Sequence, residues 1–309
     1  KKRKMSDKNC NCDVISLGNT GIPDCSLIAD IAAFPLLDMA KDSAGAAKER
    51  LKTDLTVWAN LEPLLNAASP LDRIYPIGKF ENVEQNREDD VFWTANSGKT
   101  AFVREGFKTF QGFIINAPRE LTGKLNADAC QNFGFHFIDD SNQLVTKKGT
   151  DSTKCKPILI DSDTFRSKYV EATNDAPAMT MLSFQWKSTE KDADVKVVGG
   201  LDYTGGDLYG LLDSDAAYSA ITTTSFTATI TTTCYGGPVE GLVPGDFTLA
   251  EISPTPGAIV ISGVTEVSPG VYDFVIPTAT SGDVLRLSAS KDRFDFAEMS
   301  DGTNDITIP

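Results

Sequence analysis

The sequence feature that most constrains the fold of this chain is the uneven distribution of charge along it. Residues 201–309 contain 15 acidic and three basic residues, which gives this part a net charge of −12. All the residues before Leu201 together contribute only −2 to the total of −14. Such an abrupt change in composition indicates two separately built units, and we expect the boundary in the glycine-rich stretch Val198–Gly206.

Length and composition exclude several classes of protein. The 309 residues are enough for two domains, and the 41% of hydrophobic residues allow each of them a core. No apolar run approaches the roughly 18 residues that a membrane-spanning helix needs, so we expect no membrane partner. A net charge of −14 disfavours a protein whose main function is to bind the phosphate backbone of nucleic acids.

Residues 1–42 are predicted to form an N-terminal arm. Lys1–Lys4 form a basic tip, which we interpret as a solvated chain end, with a nucleic-acid-binding arm as the alternative. No apolar segment of the kind found in secretory signals follows the tip, so the sequence does not predict export. The apolar segment Leu27–Phe34, broken at Pro35, fits either a strand or a helix.

Two helices are predicted in the first half of the chain. From Ser43 to Asn66 the pattern is helical, because Leu51, Leu55 and Trp58 recur at positions i, i+4 and i+7 and form one apolar face. Pro118–Asp128 is the second predicted helix, since proline suits the first helical turn.

Around these helices apolar and polar residues alternate with a period of two, which is typical of strands. The predicted strands are Arg73–Glu84, Val91–Thr94, Thr100–Val103, Phe107–Ile115, Phe133–Phe137, Leu144–Lys147, Pro157–Ile160, Lys168–Ala172 and Met179–Trp186. Asn96–Gly98 is read as the turn of a hairpin. Residues 43–200 are therefore expected to form a mainly β domain of the α+β type, an antiparallel β-sandwich or barrel with flanking helices.

Residues 201–309 read as an all-β domain made of short strands. The predicted strands are Ile221–Thr233, Phe247–Ile252, Ala258–Val267, Gly270–Ile276 and Val284–Ala289, separated by turns that contain glycine and proline. This spacing favours an immunoglobulin-like β-sandwich. The Cys–Trp–Cys pattern of antibody domains is missing, so an antibody-type domain is not expected.

Candidate catalytic and nucleotide-binding residues are few. Ser97–Thr100 (SGKT) resembles the end of a phosphate-binding loop, but the glycine that the motif requires is replaced by Trp93. The single histidine, His136, lies between Phe135 and Phe137 and is interpreted as a hydrogen-bonded strand residue rather than a catalytic base. The sequence predicts a protein that is not an enzyme, with no catalytic and no cofactor-binding residues.

Metal binding is also not predicted. Cys10, Cys12 and Cys25 offer three thiolates, but the paired spacing of zinc sites is missing, so reduced structural thiols are expected. Asp161-x-Asp163 and Asp213-x-Asp215 suggest calcium, although the glycine required by an EF-hand loop is replaced by Arg166 and Tyr218. Loop charge that keeps a dense assembly soluble is the simpler interpretation, and a calcium site of another type in the acidic domain is the alternative.

Aromatic residues are the most conspicuous side chains of the first domain. They are Phe80, Phe92, Trp93, Phe102, Phe107, Phe110, Phe113, Phe184 and Trp186. Most of them are expected in the core. An excess at sheet edges would instead favour self-association, because an open edge is a template for another copy.

Several segments between Arg73 and Asp194 resemble those of one class of proteins. They are Arg73–Pro76 (RIYP), Phe80–Glu84 (FENVE), Thr100–Gly106 (TAFVREG), Phe107–Gly112 (FKTFQG), Leu121–Leu125 (LTGKL), Phe135–Asp139 (FHFID), Lys156–Ile158 (KPI), Phe184–Trp186 (FQW) and Glu190–Asp194 (EKDAD). In them the chain resembles virion structural proteins of bacteriophages and prophages of Bacteroidetes bacteria, of a tail-tube-like kind. Val239–Phe247 and Gly282–Leu287 resemble the immunoglobulin-like domain often appended to such proteins.

This resemblance implies an assembly protein of the virion, put together in the cytoplasm of the host bacterium. Tail-tube proteins form rings of six copies that join their sheets, and the rings stack around a channel through which DNA passes. The expected partners are therefore copies of the same chain and other virion proteins, with residues 201–309 as an external decoration domain. The alternatives are a capsid decoration or head fibre protein, or a surface adhesion module.

Overall fold

A computed structural model describes residues 29–234, 236–300 and 304–309. The chain is mainly β, and its strands pair almost entirely antiparallel. It divides into two compact units, the first ending at Tyr209 and the second comprising Gly210–Pro309. The division follows Tyr209 rather than the stretch around Gly200, because the buried Tyr203 donates a hydrogen bond to the Leu55 carbonyl oxygen (2.7 Å) and so belongs to the first unit.

From residue 29 onward, the described part of the first unit contains thirteen strands and three α-helices. The strands are β1 (Ala32–Met39), β2 (Arg50–Leu51), β3 (Tyr75–Pro76), β4 (Glu81–Arg87), β5 (Val91–Thr94), β6 (Thr100–Arg104), β7 (Lys108–Ile115), β8 (Phe133–Asp139), β9 (Leu144–Lys148), β10 (Lys154–Lys156), β11 (Ile158–Val170), β12 (Met179–Trp186) and β13 (Val195–Val198). The helices are α1 (Lys52–Thr56), α2 (Trp58–Leu65) and α3 (Arg119–Ala127).

The main strands of this unit pair in a ring. β7 pairs with β12, β12 with β11, β11 with β8 and β8 with β1. The segment 75–87 closes the ring, since β3 pairs with β1 and β4 pairs with β7. β11 pairs with β8 through Ile158 and Leu159, and its register with β12 shifts between Asp161 and Arg166. The antiparallel sheet predicted from the alternating segments is therefore present.

The ring encloses an aromatic core. Phe110, Phe135 and Phe184 are buried there, and the rings of Phe110 and Phe184 stack at 4.9 Å between centroids. The opposite face of β8 is also covered, so this strand is buried along its whole length. A second cluster on that side joins Ile138 of β8 to Leu61 of α2.

The first predicted helix is wrong in its extent. Helical structure covers only α1 and α2, which are separated at Val57. Residues 42–46 form a turn instead, because the Asp42 carboxylate accepts hydrogen bonds from the backbone N–H groups of Ala44 and Ala46 (2.9 Å each). Leu51 lies in β2 and is 49% exposed, so it is not part of a helical apolar face.

The second predicted helix, Pro118–Asp128, is confirmed as α3, with Pro118 at its N-cap. The predicted arm, residues 1–42, is only partly described, since residues 1–28 lie outside the described residues. Its described part contains β1, which occupies a place between β3 and β8 in the sheet. The ambiguous apolar segment ending at Phe34 is thus a strand from Ala32 onward.

The second unit contains two sheets that share one core. Its strands are β14 (Leu212–Ser219), β15 (Ser225–Thr232), β16 (Phe247–Ser253), β17 (Gly257–Ile259), β18 (Gly263–Ser268), β19 (Val271–Val275), β20 (Val284–Ala289), β21 (Phe294–Asp295) and β22 (Ile306–Thr307). One sheet has the order β18-β19-β15-β14-β21 and the other β17-β16-β20-β22. Phe226 and Phe274 stack at 4.7 Å in the core between them.

Candidate functional site

The hairpin β5–β6 carries large apolar side chains that are not part of the buried cores of the first unit. Its turn is the one predicted at Asn96–Gly98: the Gly98 N–H donates to the Ala95 carbonyl (2.8 Å) and the Ala95 N–H to the Lys99 carbonyl (2.9 Å). Gly98 has a φ of +80°, a left-handed conformation that glycine adopts without strain. The predicted turn and its two strands are confirmed.

Large apolar side chains of the hairpin face solvent. Phe92, Trp93, Phe102 and Val103 are 57%, 61%, 56% and 57% exposed. By contrast, the other aromatic residues on the predicted list, among them Phe80 and Phe184, are buried or partly buried. Contiguous exposed apolar side chains of this size mark an interaction surface, because their contact with water is unfavourable.

Both faces of the hairpin carry apolar side chains. Phe92 lies opposite Phe102, and their rings meet edge to face at 5.8 Å. Trp93 lies opposite Ala101 and, as the next residue along β5, points to the other face. Phe92 and Trp93 are both more than half exposed, so neither face of the hairpin is covered by the described part of the first unit. β5 and β6 also pair only with each other among the described strands.

The base of the hairpin is held in place by polar contacts. Arg87 bonds to the carboxylates of Asp192 (2.9 Å) and Glu105 (3.1 Å), and Lys108 also contacts Asp192. The Lys108 ammonium group holds the pKa of the Asp192 carboxyl below its usual value of 3.8. A side chain at Gly106 would collide with the Glu88 carbonyl oxygen, so glycine is required where the two base segments cross.

The charges of the hairpin are divided between its strands and its base. From Val91 to Arg104 the only charged residues are Lys99, at the turn, and Arg104. The carboxylates of Glu88, Asp89 and Asp90 precede the first strand. The two strands therefore present a surface that is mainly apolar, while the charges of the base are of both signs and partly paired, as Arg87 is with Asp192.

The predicted strand histidine, His136, lies in a buried cluster on the other side of β8. Its Nδ1 is 2.7 Å from the Thr146 hydroxyl, which itself donates to the Lys156 carbonyl oxygen (2.9 Å), so an Nδ1–H group donates to Thr146. Its Nε2 lies 3.7 Å from Asp38 Oδ2 and has no hydrogen-bond partner within the described part of the chain.

Asp38 is the centre of this cluster and was not singled out by the sequence. Arg50 binds both of its carboxylate oxygens at 2.9 Å, and Lys48 lies 3.4 Å away. Burial alone raises the pKa of the Asp38 carboxyl, but the contacts with His136 and Arg50 outweigh it and lower the pKa from 3.8 to about 2. The cluster joins one group (Asp38, Lys48 and Arg50) to a second group (His136 and Thr146) that lies far away in sequence, so spacing gives no signal for it.

An acid, an imidazole and a hydroxyl in this order resemble a catalytic triad. However, Asp38, His136 and Thr146 are all 0% exposed, so no substrate reaches them. The Thr146 hydroxyl also already donates its hydrogen to a backbone carbonyl. The cluster therefore connects β1, β8 and β9 as a structural element.

The sequence motifs considered for metals form no metal-binding group in the part of the chain that the structure describes. Cys10, Cys12 and Cys25 lie outside the described residues, while Cys130, Cys155 and Cys234 form no disulfide with one another. The Asp161 carboxylate accepts a hydrogen bond from the Asp163 N–H (3.3 Å), and the Asp215 carboxylate accepts one from Asn304 (2.7 Å). In the ranges that the structure describes, no three acidic, His or Cys side chains converge closely enough to hold a metal ion.

Ser97–Thr100, the phosphate-loop-like segment, lies in the hairpin turn and the start of β6 and does not precede a helix. None of the helices described is long and apolar enough to cross a membrane.

A scan against protein-family models and a search of curated proteins found no match to this chain. The geometry of the hairpin is therefore the basis on which a function is inferred.

Proposed function

We propose that this protein is a structural subunit that assembles with copies of itself, and that it is a virion protein of the tail-tube-like kind. The observation that carries the proposal is the hairpin β5–β6, whose large apolar side chains are exposed on both faces. A hairpin of this kind is stable in water only when another surface covers it. A second copy of the chain is the partner that is always available to a virion subunit.

The arrangement of strand edges supports this proposal. The ring of strands in the first unit leaves few edges for addition of another strand, since segment 75–87 closes it. The hairpin is different, because each of its strands has a single described neighbour. An unpaired strand edge next to exposed apolar side chains is a template for pairing between subunits.

In this proposal the subunits close into rings, and the rings stack around a channel through which DNA passes. The first unit suits such a channel because the residues before Leu201 are almost neutral in sum. A channel wall of this kind does not retain the phosphate backbone. Ring closure also limits growth to a defined number of copies.

For the second unit we propose an immunoglobulin-like sandwich displayed on the outside of the assembly. Two sheets with a shared aromatic core, antiparallel except for the parallel pair β14 and β21, support this fold. The high negative charge of this part favours solubility at the dense surface of a particle. The helices α1 and α2, whose Leu55 and Leu61 are buried, are proposed to flank the sheet of the first unit.

Electron microscopy of the full chain at high protein concentration tests the proposal. Rings or stacked rings are the expected result. Isolated particles the size of one 33.3-kDa chain at every concentration and salt tested would contradict it. Small closed oligomers that never stack would instead favour the capsid decoration or fibre alternative.

A further inference from the structure

The first unit carries an open groove at the end of the strand ring where β7 and β11 begin. The groove has a volume of about 700 Å³. Val145, Ile158 and Trp186 are among its apolar lining residues, and Asp30 and Glu190 are among its charged ones. A cleft of this volume, apolar with a few charges, is typical of a binding site.

The groove is preformed. The Trp186 indole contacts Phe184 at 4.9 Å and Phe137 at 5.7 Å, both nearly perpendicular, so its ring is fixed by the core behind it. Glu190 is 8% exposed and bonds to Lys147 at 2.9 Å. A rigid wall lowers the entropy that is lost when a ligand is bound.

We infer that this groove receives the β5–β6 hairpin of a second copy of the chain. The inference rests on the proposed self-assembly and specifies its contact. A contact between two hairpins, or between a hairpin and a flat surface, covers one face of the hairpin and leaves the other exposed. A groove covers both, and Phe92 and Trp93 point to opposite faces.

Charge supports the same pairing, since the charged lining residues of the groove are three acidic ones (Asp30, Glu190 and Asp192) and two lysines (Lys108 and Lys191). The hairpin carries Lys99 at its turn and has no carboxylate between Val91 and Arg104. Asp30, at the groove, is held by the Ser141 hydroxyl (2.7 Å), and this bond keeps the pKa of its carboxyl below the usual 3.8. No described cation forms an ion pair with Asp30, so its charge is available to the lysine of another copy.

The hairpin does not fill the groove of its own chain. None of its residues lines the groove, and its side chains are exposed in the single chain. Each subunit therefore presents both the hairpin and the groove, and no other part of the described chain fills either surface. Such a pair of different surfaces builds a heterologous contact, which closes into rings when the rotation between subunits permits it.

Mixing two complementary variants tests this contact. Phe92→Ser with Phe102→Ser removes the hairpin anchors, and Val195→Arg, at a groove residue that is 36% exposed, blocks the groove without entering the core. Each variant alone is expected to weaken self-association at least about 30-fold, as loss of a hot spot does. An equimolar mixture is expected to recover a one-to-one complex, because one intact hairpin meets one intact groove.

A charge exchange provides the matched second test. Lys99→Glu and Asp30→Lys each weaken association, while a mixture of the two restores it, since both kinds of contact then pair opposite charges. Thermal melts of every variant must match the parent chain, which shows that the fold is intact.

The outcomes separate this inference from the proposed function. If the parent chain associates and Val195→Arg associates equally well, the groove is not the acceptor and the inference fails while self-assembly stands. If the parent chain does not associate at all, self-assembly itself fails. Association that depends on residues 1–28 but not on Phe92 and Phe102 would assign the groove to that segment and overturn the inference.

Discussion

At the scale of single residues, the buried carboxylate of Asp38 shows how one side chain organises several strands. It is 0% exposed and binds Arg50 through both oxygens, so its charge is neutralised within the first unit. Breaking such a pair is costly because it leaves the other charge buried alone. His136, the residue first considered for catalysis, is part of this structural arrangement.

The low pKa of Asp38 predicts a specific loss of stability in acid. The carboxyl has a pKa of about 2 in the folded chain and 3.8 in the unfolded reference. Because the folded value is the lower one, the stabilisation is complete above about pH 5 and is lost as the pH falls toward 2. The loss from this residue amounts to about 2 kcal/mol.

Urea unfolding between pH 2 and pH 6 measures this contribution. The Asp38→Asn variant is the control: it is less stable at neutral pH, and its free energy of unfolding falls less between pH 5 and pH 2 than that of the parent chain. Equal slopes for the two proteins in this interval would show that Asp38 is not responsible.

At the scale of elements, a strand or helix was predictable where its signal lies in neighbouring residues of the sequence. The hairpin was predicted from its own turn residues. Helix α3 was predicted from the apolar spacing and the proline within its own segment. The extent of the first helix was wrong because Asp42 forms a turn with its own neighbours, which competes with helix formation. β14 was missed because its sequence, LDSDAAYS, has little apolar alternation.

The exposure of the hairpin aromatics was not predictable from spacing. Phe92 and Trp93 are adjacent apolar residues, a pattern that also occurs in strands buried on both faces. Only the tertiary structure distinguishes the two cases, since it shows that Phe92 and Trp93 are more than half exposed and that β5 and β6 pair with no other described strand. The Asp38 cluster and the groove likewise depend on residues distant in sequence.

Helix α2 supplies a prediction at this scale. Trp58 begins the helix and contacts the rings of Tyr203 (5.7 Å) and Tyr209 (6.0 Å). Trp58→Ala is expected to lower the free energy of unfolding by about 2 kcal/mol, because the partly buried indole loses its packing. Denaturant titration measures the change.

Trp93→Ala is the matched control, since this tryptophan is 61% exposed. Its effect on the unfolding free energy is expected to stay within about 0.5 kcal/mol. Sedimentation should show the reverse order: Trp58→Ala assembles like the parent chain, whereas Trp93→Ala does not. If Trp58→Ala leaves stability unchanged but prevents assembly, its face contacts another subunit instead.

At the scale of the whole molecule, two units with separate cores explain the change in composition that the sequence shows. The first unit ends at Tyr209 because Tyr203 and Tyr209 pack against α1 and α2. The acidic part of the chain therefore begins slightly before the second unit does. Composition located the boundary only approximately, since packing rather than charge determines where a unit ends.

Truncation at two nearby positions tests this boundary. A chain ending at Tyr209 is expected to fold and to assemble like the full chain, because the whole core of the first unit is kept. A chain ending at Gly200 loses Tyr203 and Tyr209 and is expected to unfold several degrees lower. Equal melting temperatures for the two truncated chains would contradict the assignment of residues 201–209 to the first unit.

The central claim, that copies of this chain assemble through the exposed hairpin, is tested most directly by sedimentation of the full chain beside its Phe92→Ser/Phe102→Ser variant. The control is Val260→Ser, which removes an apolar side chain that is 77% exposed in the second unit. We predict that the parent chain and the control sediment as multiples of 33.3 kDa and the hairpin variant as a single chain, with unchanged melting. A parent chain that sediments as one molecule at all concentrations, or a hairpin variant that assembles as well as the parent, would contradict the claim.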